Sequence, residues 1–343
     1  MKLEWLPQGS PASLPGFRVG HAVREDAPTG CSVVLCPPGV VGGVEARGSA
    51  TGTRGLDGLL PGHMVDQVHA VVFTGGSSFG LAACQGVQDH LEAQGVGLAA
   101  GPFRVPVTPG AVIFDLPLSL GRGRPDAALG RAACLAASDG PMPRGNVGAG
   151  AGATVGKLYG PLQAMKGGLG GAGLRLGELY VAALAVVNAF GDVLAPDGTI
   201  LAGARRAPDS LELVDTAAWF MAGNRRENFQ PPSNTTLGLV ATNARLDKLA
   251  ACKLAALAHH GLVRCIRPVH SVFDGDLVVT LASGQVEADL TGLGLLAAET
   301  LRRAVLDAVW SARGLPGLPA ARDLAPDRKP PVNLFSDGVP PCT

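Results

Sequence analysis

The sequence predicts an α/β fold for this chain of 343 residues. Short apolar runs alternate with helix-like segments along most of the chain, as strands and helices do in α/β proteins. Hydrophobic residues make up 47% of the sequence, which is enough to bury a large core. The 49 glycines and 27 prolines follow no collagen-like period and indicate a backbone that turns tightly and often. No shift in composition marks a boundary, so we expect a single domain over residues 1–343.

The elements are predicted from apolar runs and from helical periodicity. The first clear unit is a strand over residues 69–73, a glycine turn over 74–78 and a helix over 79–94. Further strands are predicted over 111–116, 181–187, 236–242 and 277–282. Further helices are predicted over 126–137, 245–260 and 293–313.

Two segments interrupt this alternation. Residues 145–177 are dense in glycine, and residues 224–234 are polar and contain two prolines. We expect the second segment to be an exposed loop that leads directly into the interior strand that follows it. The proline-rich residues from 314 onward are expected to be loop-like.

Charge, hydropathy and cysteine content exclude several classes of protein. Lys and Arg number 28, as do Asp and Glu, so no net charge favours nucleic acid or an anionic membrane. No apolar stretch reaches the roughly 18 uncharged residues of a membrane span. The first residues lack a signal-peptide pattern, and the seven cysteines form no CxxC pair. We therefore expect a cytoplasmic protein whose cysteines are small core residues.

Several short motifs resemble cofactor-binding or metal-binding sites, but none of them has the full pattern that such a site needs. Residues 148–153 match G-x-G-x-x-A, but no strand precedes them, and residues 152–157 match a Walker loop only loosely. Asp274-Gly275-Asp276 is followed by apolar residues where a calcium loop needs further oxygen ligands. His259 and His260 are adjacent on a predicted helix, so they point about 100° apart, which is typical of a helix terminus and not of a metal site.

The junction Asn234-Thr235 lies between the polar segment and an interior strand. A hydroxyl at this point could attack its own preceding carbonyl and break the chain. The freed α-amine, with an unperturbed pKa of about 7.7 to 8.0, could then act as general base for the Thr235 hydroxyl. The alternative from spacing alone is an ordinary entry from a loop into a strand.

Five strings together resemble the P1 family of peptidases, the DmpA-type aminopeptidases. The resemblance extends from about residue 15 to about residue 285. The strings lie at residues 19–21, 52–54, 68–81, 145–157 and 234–244.

The resemblance implies a four-layer α/β/β/α sandwich of the DmpA and ornithine acetyltransferase type, similar to the N-terminal nucleophile hydrolases. It also implies a precursor that cuts itself into fragments 1–234 and 235–343. The nucleophile lies seven residues before the threonine of an A-T-x-A string, and this rule selects Thr235, with the cut at Asn234-Thr235. Family members often have Gly before Ser at this position, so the Asn-Thr pair is a departure.

The resemblance assigns further site residues. Asn188 matches the asparagine that helps to form the oxyanion hole. Asp274 and Asp276 match a polar residue and a carboxylate beside the nucleophile, and we expect both to point toward Thr235 because positions i and i+2 of an extended segment share a face. The family's second oxyanion donor is a tyrosine, and neither tyrosine of this chain, Tyr159 or Tyr180, matches it.

The resulting prediction is a self-processing aminopeptidase that hydrolyses short peptides, amides or esters with a free amino terminus. No cofactor or metal is expected, and the family implies a homotetramer of processed protomers. One alternative is an acyltransferase like the ornithine acetyltransferases, and another is a non-catalytic relative that binds a small amine. The residues expected to approach the substrate are Gly75, Gly76, Ser77, Asn146 and Gly148.

Overall fold

The structure, a computed structural model, describes residues 2–226 and 234–324. The strands of these residues are β1 (Leu3–Trp5), β2 (Arg18–Val23), β3 (Gly30–Leu35), β4 (Val41–Ala46), β5 (Thr53–Arg54), β6 (Ala70–Thr74), β7 (Leu98–Ala100), β8 (Phe103–Val105), β9 (Gly110–Val112), β10 (Thr154–Val155), β11 (Met165–Lys166), β12 (Gly168–Leu176), β13 (Leu179–Asn188), β14 (Asp192–Leu194), β15 (Ile200–Ala202), β16 (Ala204–Arg205), β17 (Leu213–Val214), β18 (Thr235–Ala244), β19 (Ile266–Arg267) and β20 (Leu277–Val286). The α-helices are α1 (Ala83–Ala93), α2 (Leu116–Ser119), α3 (Ala127–Leu135), α4 (Thr216–Met221), α5 (Lys248–Val263), α6 (Leu290–Ser311) and α7 (Ala321–Leu324). Short 3₁₀-helices cover Pro11–Ser13, Asp57–Leu59, Ser77–Ala82, Gly148–Gly150 and Pro161–Gln163.

Two sheets form the centre of the molecule. The larger has six strands in the order β1-β12-β13-β18-β20-β4, and the smaller has five in the order β2-β3-β6-β9-β5. Strand β18 lies inside the larger sheet, antiparallel to β13 and parallel to β20. All ten of its residues are buried, which explains their largely apolar sequence.

Three apolar cores separate four layers. Helices α5 and α6 cover one face of the larger sheet, where Leu254 and Leu301 pack with strand residues such as Val187. The two sheets meet through a second core that includes Phe73 and Leu237. Helices α1 and α3 cover the outer face of the smaller sheet through a third core. The predicted α/β/β/α sandwich is therefore confirmed.

The helix and strand predictions agree closely with the structure, but with shifted ends. The strands predicted over 181–187, 236–242 and 277–282 are each longer and correspond to β13, β18 and β20. The helix predicted over 79–94 begins as a 3₁₀-helix and becomes α1 at Ala83. The strand predicted over 111–116 is too long, because β9 ends at Val112 and α2 begins at Leu116.

The glycine-dense segment contains a strand that the apolar pattern did not predict. Strand β12 pairs with β13 along its whole length and carries α6 on one face. A Cβ added at Gly170 would lie 2.2 Å from the Ala308 nitrogen and 2.4 Å from the Ala304 oxygen. Glycine is therefore required here because helix α6 approaches the strand backbone directly.

The structure also bears on the membrane and cysteine predictions. No helix within residues 2–226 and 234–324 has the length and apolar character needed to cross a membrane. The described cysteines carry free thiols, and four of them are buried, at positions 31, 84, 134 and 265. The residues predicted to be loop-like from 314 onward include α7, and those beyond 324 lie outside the described part of the chain.

Candidate active site

The Asn234-Thr235 junction lies inside the sandwich, at the start of β18. Asn234 and Thr235 are each only 4% exposed. The Asn234 carbonyl oxygen accepts hydrogen bonds from the Gly275 N–H at 2.8 Å and from the Thr235 hydroxyl at 2.5 Å. The hydroxyl and the carbonyl that it is predicted to attack are therefore held together, and a backbone N–H already polarises that carbonyl.

One correction concerns the segment that precedes this junction. We expected residues 224–234 to be an exposed loop, but Asn234 is buried and forms a parallel bridge with Asp274. Its side-chain amide donates to the Phe273 carbonyl oxygen at 3.2 Å, which ties it to the segment before β20. Residues 227–233 lie outside the described part of the chain.

Asn188 ends β13 directly opposite Thr235 in the antiparallel register. Its Oδ1 accepts from the Thr154 N–H at 3.0 Å and from the Lys157 ammonium at 2.8 Å. Its Nδ2 donates to the Phe114 carbonyl oxygen at 3.3 Å. The donors on Oδ1 fix the orientation of the amide, so that its N–H groups face the side on which Phe114 lies.

Lys157 is a site residue for which the sequence analysis assigned no role. Its ammonium also donates to the Asn188 backbone carbonyl at 2.9 Å. Burial lowers its pKa to about 7, although the negative charges of Asp274 and Asp115 act in the opposite direction. A buried lysine that can lose its proton near neutral pH is suited to proton transfer. The sequence did contain one indication of this role, because Lys157 is the last residue of the string 145–157 that resembles the DmpA-type aminopeptidases.

Asp274 is buried in the turn before β20, and its carboxylate contacts groups other than Thr235. It accepts from the Phe190 N–H at 3.0 Å and from the Ser271 hydroxyl at 2.5 Å. Burial, together with the nearby charge of Asp276, raises the pKa of Asp274 above its ordinary value.

Asp276 contacts the main chain one residue after Thr235. Its Oδ1 accepts from the Thr236 N–H at 2.6 Å, and its Oδ2 accepts from the His270 backbone N–H at 3.0 Å. The His270 imidazole lies 3.0 Å from the same oxygen. We expected both carboxylates to point toward Thr235, and the structure corrects this. The Asp274 carboxylate contacts Phe190 and Ser271, and only the Asp276 carboxylate bonds to a residue of β18.

Two cavities lie against the junction, and Asn234 and Phe114 line both. The first, which we call the aromatic cavity, has a volume of about 200 Å³. Its other aromatic and charged lining residues are Asp115, Lys157, Phe190, Arg226 and Phe273. The second, which we call the hydroxyl cavity, has a volume of about 190 Å³. Its hydroxyl-bearing lining residues are Thr51, Ser77, Ser78 and Thr235.

The predicted glycine turn at Gly75 and Gly76 surrounds a carboxylate. The Gly76 N–H donates to Asp115 Oδ1 at 2.7 Å, and a Cβ at Gly75 would lie 2.1 Å from Asp115 Oδ2. Burial raises the pKa of Asp115. Ser77, which follows the turn, lines the hydroxyl cavity. The turn therefore contacts both cavities: it bonds to Asp115, which lines the aromatic cavity, and it leads into Ser77, which lines the hydroxyl cavity.

Asn146 and Gly148 require a correction, because the structure gives them contacts away from these cavities. The Asn146 side chain donates to the Arg313 carbonyl at 2.9 Å and accepts from the Arg313 N–H at 3.1 Å, which ties it to the end of α6. A Cβ at Gly148 would meet the Ser32 hydroxyl at 2.1 Å. Tyr159 and Tyr180 are absent from the described linings of both cavities and contact Trp219 and Arg175 respectively.

Comparison with known proteins identifies the family. The family model described as peptidase family S58 matches residues 12–321. The chain belongs to peptidase family S58. This S58 chain is therefore a hydrolase, as the sequence analysis predicted, and the resemblance to DmpA-type enzymes is confirmed.

Two relatives illustrate the range of the family. An uncharacterized aminopeptidase of Mycobacterium tuberculosis is 40% identical over 342 residues, which cover 91% of this S58 chain and 96% of the relative. The 6-aminohexanoate-oligomer endohydrolase of Paenarthrobacter ureafaciens is 31% identical over 311 residues, which cover 86% of this chain and 84% of the relative.

Solved structures of low sequence identity share the fold of this S58 chain. The β-aminopeptidase of a Burkholderia species has a TM-score of 0.65 at 21% identity, and the match covers 90% of this chain and 88% of that one. The L-aminopeptidase D-Ala-esterase/amidase of Ochrobactrum anthropi, described as a variant of the Ntn hydrolase fold, has a TM-score of 0.65 at 18% identity. That match covers 93% of this chain and 92% of the other.

Proposed function

We propose that this chain is a self-processing aminopeptidase whose nucleophile, Thr235, is released by cleavage of the Asn234-Thr235 bond. One observation carries the proposal. The Asn234 carbonyl oxygen is 2.8 Å from the Gly275 nitrogen and 2.5 Å from the Thr235 hydroxyl, at the first residue of a buried strand. The attacking oxygen, its target and one oxyanion donor are thus held together by the start of β18 and the turn before β20.

The proposed cleavage is an acyl shift followed by hydrolysis. The Thr235 oxygen forms a bond to the Asn234 carbonyl carbon, negative charge develops on the oxygen that accepts from Gly275, and the carbon–nitrogen bond breaks. The hydroxyl proton of Thr235 passes to the neutral Lys157 amine and from there to the departing nitrogen, which becomes the α-amine of Thr235. Water then hydrolyses the ester, which leaves a carboxylate on Asn234 and a free hydroxyl on Thr235.

In turnover, the free Thr235 amine removes the hydroxyl proton as the oxygen attacks the substrate carbonyl. An unperturbed α-amine has a pKa of about 7.7 to 8.0, so part of it is neutral at physiological pH. We assign oxyanion stabilisation to the Asn188 amide and the Gly275 N–H, each contributing about 3 kcal/mol by analogy with measured oxyanion donors. Besides the Thr235 amine, we assign proton transfer to the Lys157 amine, which is hydrogen-bonded to Asn188.

The aromatic cavity favours a small acyl group that carries a free amine. Asp115 is the one carboxylate among its described lining residues, and its burial strengthens attraction to an ammonium group. The volume of about 200 Å³ fits one short acyl chain. The Paenarthrobacter relative is named as an endohydrolase of 6-aminohexanoate oligomers, whose acyl units are short and unbranched.

The test combines intact mass measurement with N-terminal sequencing of the purified wild type, Thr235→Ala and Thr235→Ser. We expect wild type and Thr235→Ser to give fragments that end at Asn234 and begin at residue 235, and Thr235→Ala to stay intact. An identical cleavage pattern in wild type and Thr235→Ala would exclude Thr235 as the nucleophile. A wild type that stays intact and inactive would favour the non-catalytic alternative.

Substrate class is tested on the processed enzyme. We expect hydrolysis of aminoacyl anilides and no transfer from acetylornithine to glutamate; the reverse result would favour the acyltransferase alternative. The homotetramer of processed protomers is a further proposal, which light scattering of the processed protein tests. The cytoplasmic location stays a prediction.

A further inference from the structure

Two histidines connect helix α5 to the carboxylate of Asp276. His259 lies on the buried side of α5, and its Nε2 is 3.0 Å from the Glu45 carbonyl oxygen of β4. Its Nδ1 is 3.2 Å from the Nε2 of His270, and the His270 Nδ1 is 3.0 Å from Asp276 Oδ2. The two rings meet edge to face, with centroids 4.7 Å apart. A continuous row of hydrogen bonds therefore ends beside β18.

The donors and acceptors along this row can be assigned in order. The Glu45 carbonyl only accepts, so the His259 Nε2 carries a hydrogen. Burial lowers the pKa of His259 to about 4, so its ring is neutral at physiological pH and its Nδ1 is an acceptor. His270 Nε2 must then donate to His259. One contact, between His270 Nδ1 and Asp276 Oδ2, is left to assign.

That contact needs one proton. If Asp276 is ionised, His270 Nδ1 must carry the hydrogen and the ring is an imidazolium. If His270 is neutral, its Nδ1 has a lone pair and the carboxyl must donate. An ionised Asp276 beside a neutral His270 would place two acceptors 3.0 Å apart.

We propose that His259 and His270 form a positioning relay that keeps one proton between His270 and Asp276 and thereby holds the Asp276 carboxylate against the Thr236 N–H. This proposal rests on Thr235 being the nucleophile, because Thr236 directly follows it in β18. His270 and His259 are positioning residues and not catalytic ones, since neither touches Thr235 in the contacts described.

The surroundings explain why a shared proton suits this place. With either arrangement the pair of Asp276 and His270 has no net charge, which limits the cost of burying it. The charged groups that face the relay from neighbouring elements are Arg47, Lys157 and Asp274.

The kinetic test compares three variants of the full chain. His270→Phe removes both ring nitrogens, and we expect kcat to fall by about tenfold to a hundredfold with little change in KM, as for partners that orient catalytic groups. His270→Gln keeps a hydrogen-bond donor for Asp276, so we expect it to restore much of kcat. His260→Gln is the matched control, because His260 is the exposed neighbour on the same helix. Equal kcat in His270→Phe and His260→Gln, or no recovery of kcat in His270→Gln, would overturn the relay.

A second measurement uses the wild type, so it tests the proposal even if a variant fails to fold. In the wild type labelled with ¹⁵N-histidine and ¹³C-aspartate, we expect His259 to be neutral with its hydrogen on Nε2, and His270 to carry a hydrogen on Nε2. The pair of His270 and Asp276 should hold one further proton at neutral pH. Asp276→Asn should leave His270 neutral. A hydrogen on His259 Nδ1, or a neutral His270 beside an ionised Asp276, would overturn the proposal.

These outcomes separate the relay from the proposed function. If Thr235→Ala still cleaves, the nucleophile is wrong whatever the imidazole resonances show. If Thr235→Ala stays intact while His270→Phe and His260→Gln behave alike, Thr235 stands and the relay is wrong.

Discussion

Lys157 is the buried charge whose protonation state most directly affects the proposed chemistry. Its ammonium is held by Asn188, which faces Thr235 across two paired strands. Because burial lowers its pKa to about 7, the amine is mostly neutral above that pH and mostly charged below it. A neutral amine can accept a proton, whereas the ammonium cannot. Self-cleavage that uses this amine must therefore accelerate as the pH rises through about 7.

Lys157→Met is expected to slow self-cleavage by about a hundredfold and to remove this pH dependence, because it deletes the proton acceptor and keeps the buried stem. The measurement is the rate at which fragments appear from the precursor on a denaturing gel, at a series of pH values. The precursor has no free Thr235 amine, so that group cannot contribute. Lys166→Met is the matched control, since Lys166 is also buried with a pKa lowered to about 7 but donates to three backbone carbonyls. An unchanged pH profile in Lys157→Met would exclude Lys157 as the acceptor.

Some residues of the candidate site could be selected from the sequence, whereas the contacts of others could not be predicted from it. Thr235 and Asn188 were selected by resemblance, and their pairing across β13 and β18 is a contact that spacing alone does not reveal. His259 was expected to be an ordinary helix-terminal residue, whereas the structure buries it between Glu45 and His270. A single sequence cannot show which side of a helix meets a distant turn, so this contact required the fold.

At the scale of elements, the turn that leads into β20 closes over the start of β18. Gly275 brings its N–H to the Asn234 carbonyl oxygen, and its backbone lies against that of Ala50. A Cβ at this position would lie 2.5 Å from the Ala50 oxygen and 2.8 Å from the Thr235 hydroxyl oxygen. An added methyl group would therefore push the turn away from the nucleophile.

Gly275→Ala is accordingly expected to slow self-cleavage by about a hundredfold, the effect of losing one oxyanion donor. Fragment formation on a denaturing gel measures it, and thermal unfolding of the intact chain shows whether the fold persists. Gly58→Ala serves as the control, because a Cβ there meets open space. Cleavage of Gly275→Ala at the wild-type rate would mean that the Gly275 N–H plays no part.

The success of the sequence prediction also varied between elements. The apolar runs of β13, β18 and β20 predicted interior strands, because strands covered on both faces are apolar along their whole length. Strand β12 was missed because close packing on both faces, against α6 at Gly168 and Gly170 and against Gly9 at Gly171 and Gly173, selects glycine in place of the β-branched residues that signal a strand. The close backbone approaches on the two faces thus remove the pattern by which the strand could be recognised.

At the scale of the whole molecule, the predicted cut falls inside a continuous sheet. Strands β12 and β13 belong to residues 1–234, whereas β18, β20, α5 and α6 belong to residues 235–343. Strand β18 pairs with β13 on one side, and α6 packs on β12 and β13. The core beneath the helices contains side chains of both fragments, including Val187 and Leu301.

Cleavage is therefore expected to leave the two fragments as one folded unit, because separating them would expose the sheet edge of β13 and a large apolar core to water. The measurement is size-exclusion chromatography with light scattering on processed wild type, followed by a denaturing gel of the peak. We expect one peak that contains both fragments in equal amounts. Uncleaved Thr235→Ala is the control and should elute at the same volume. Separate elution of the fragments in native buffer would contradict the prediction, and would show that the strand pairing between β13 and β18 depends on the covalent bond at Asn234-Thr235.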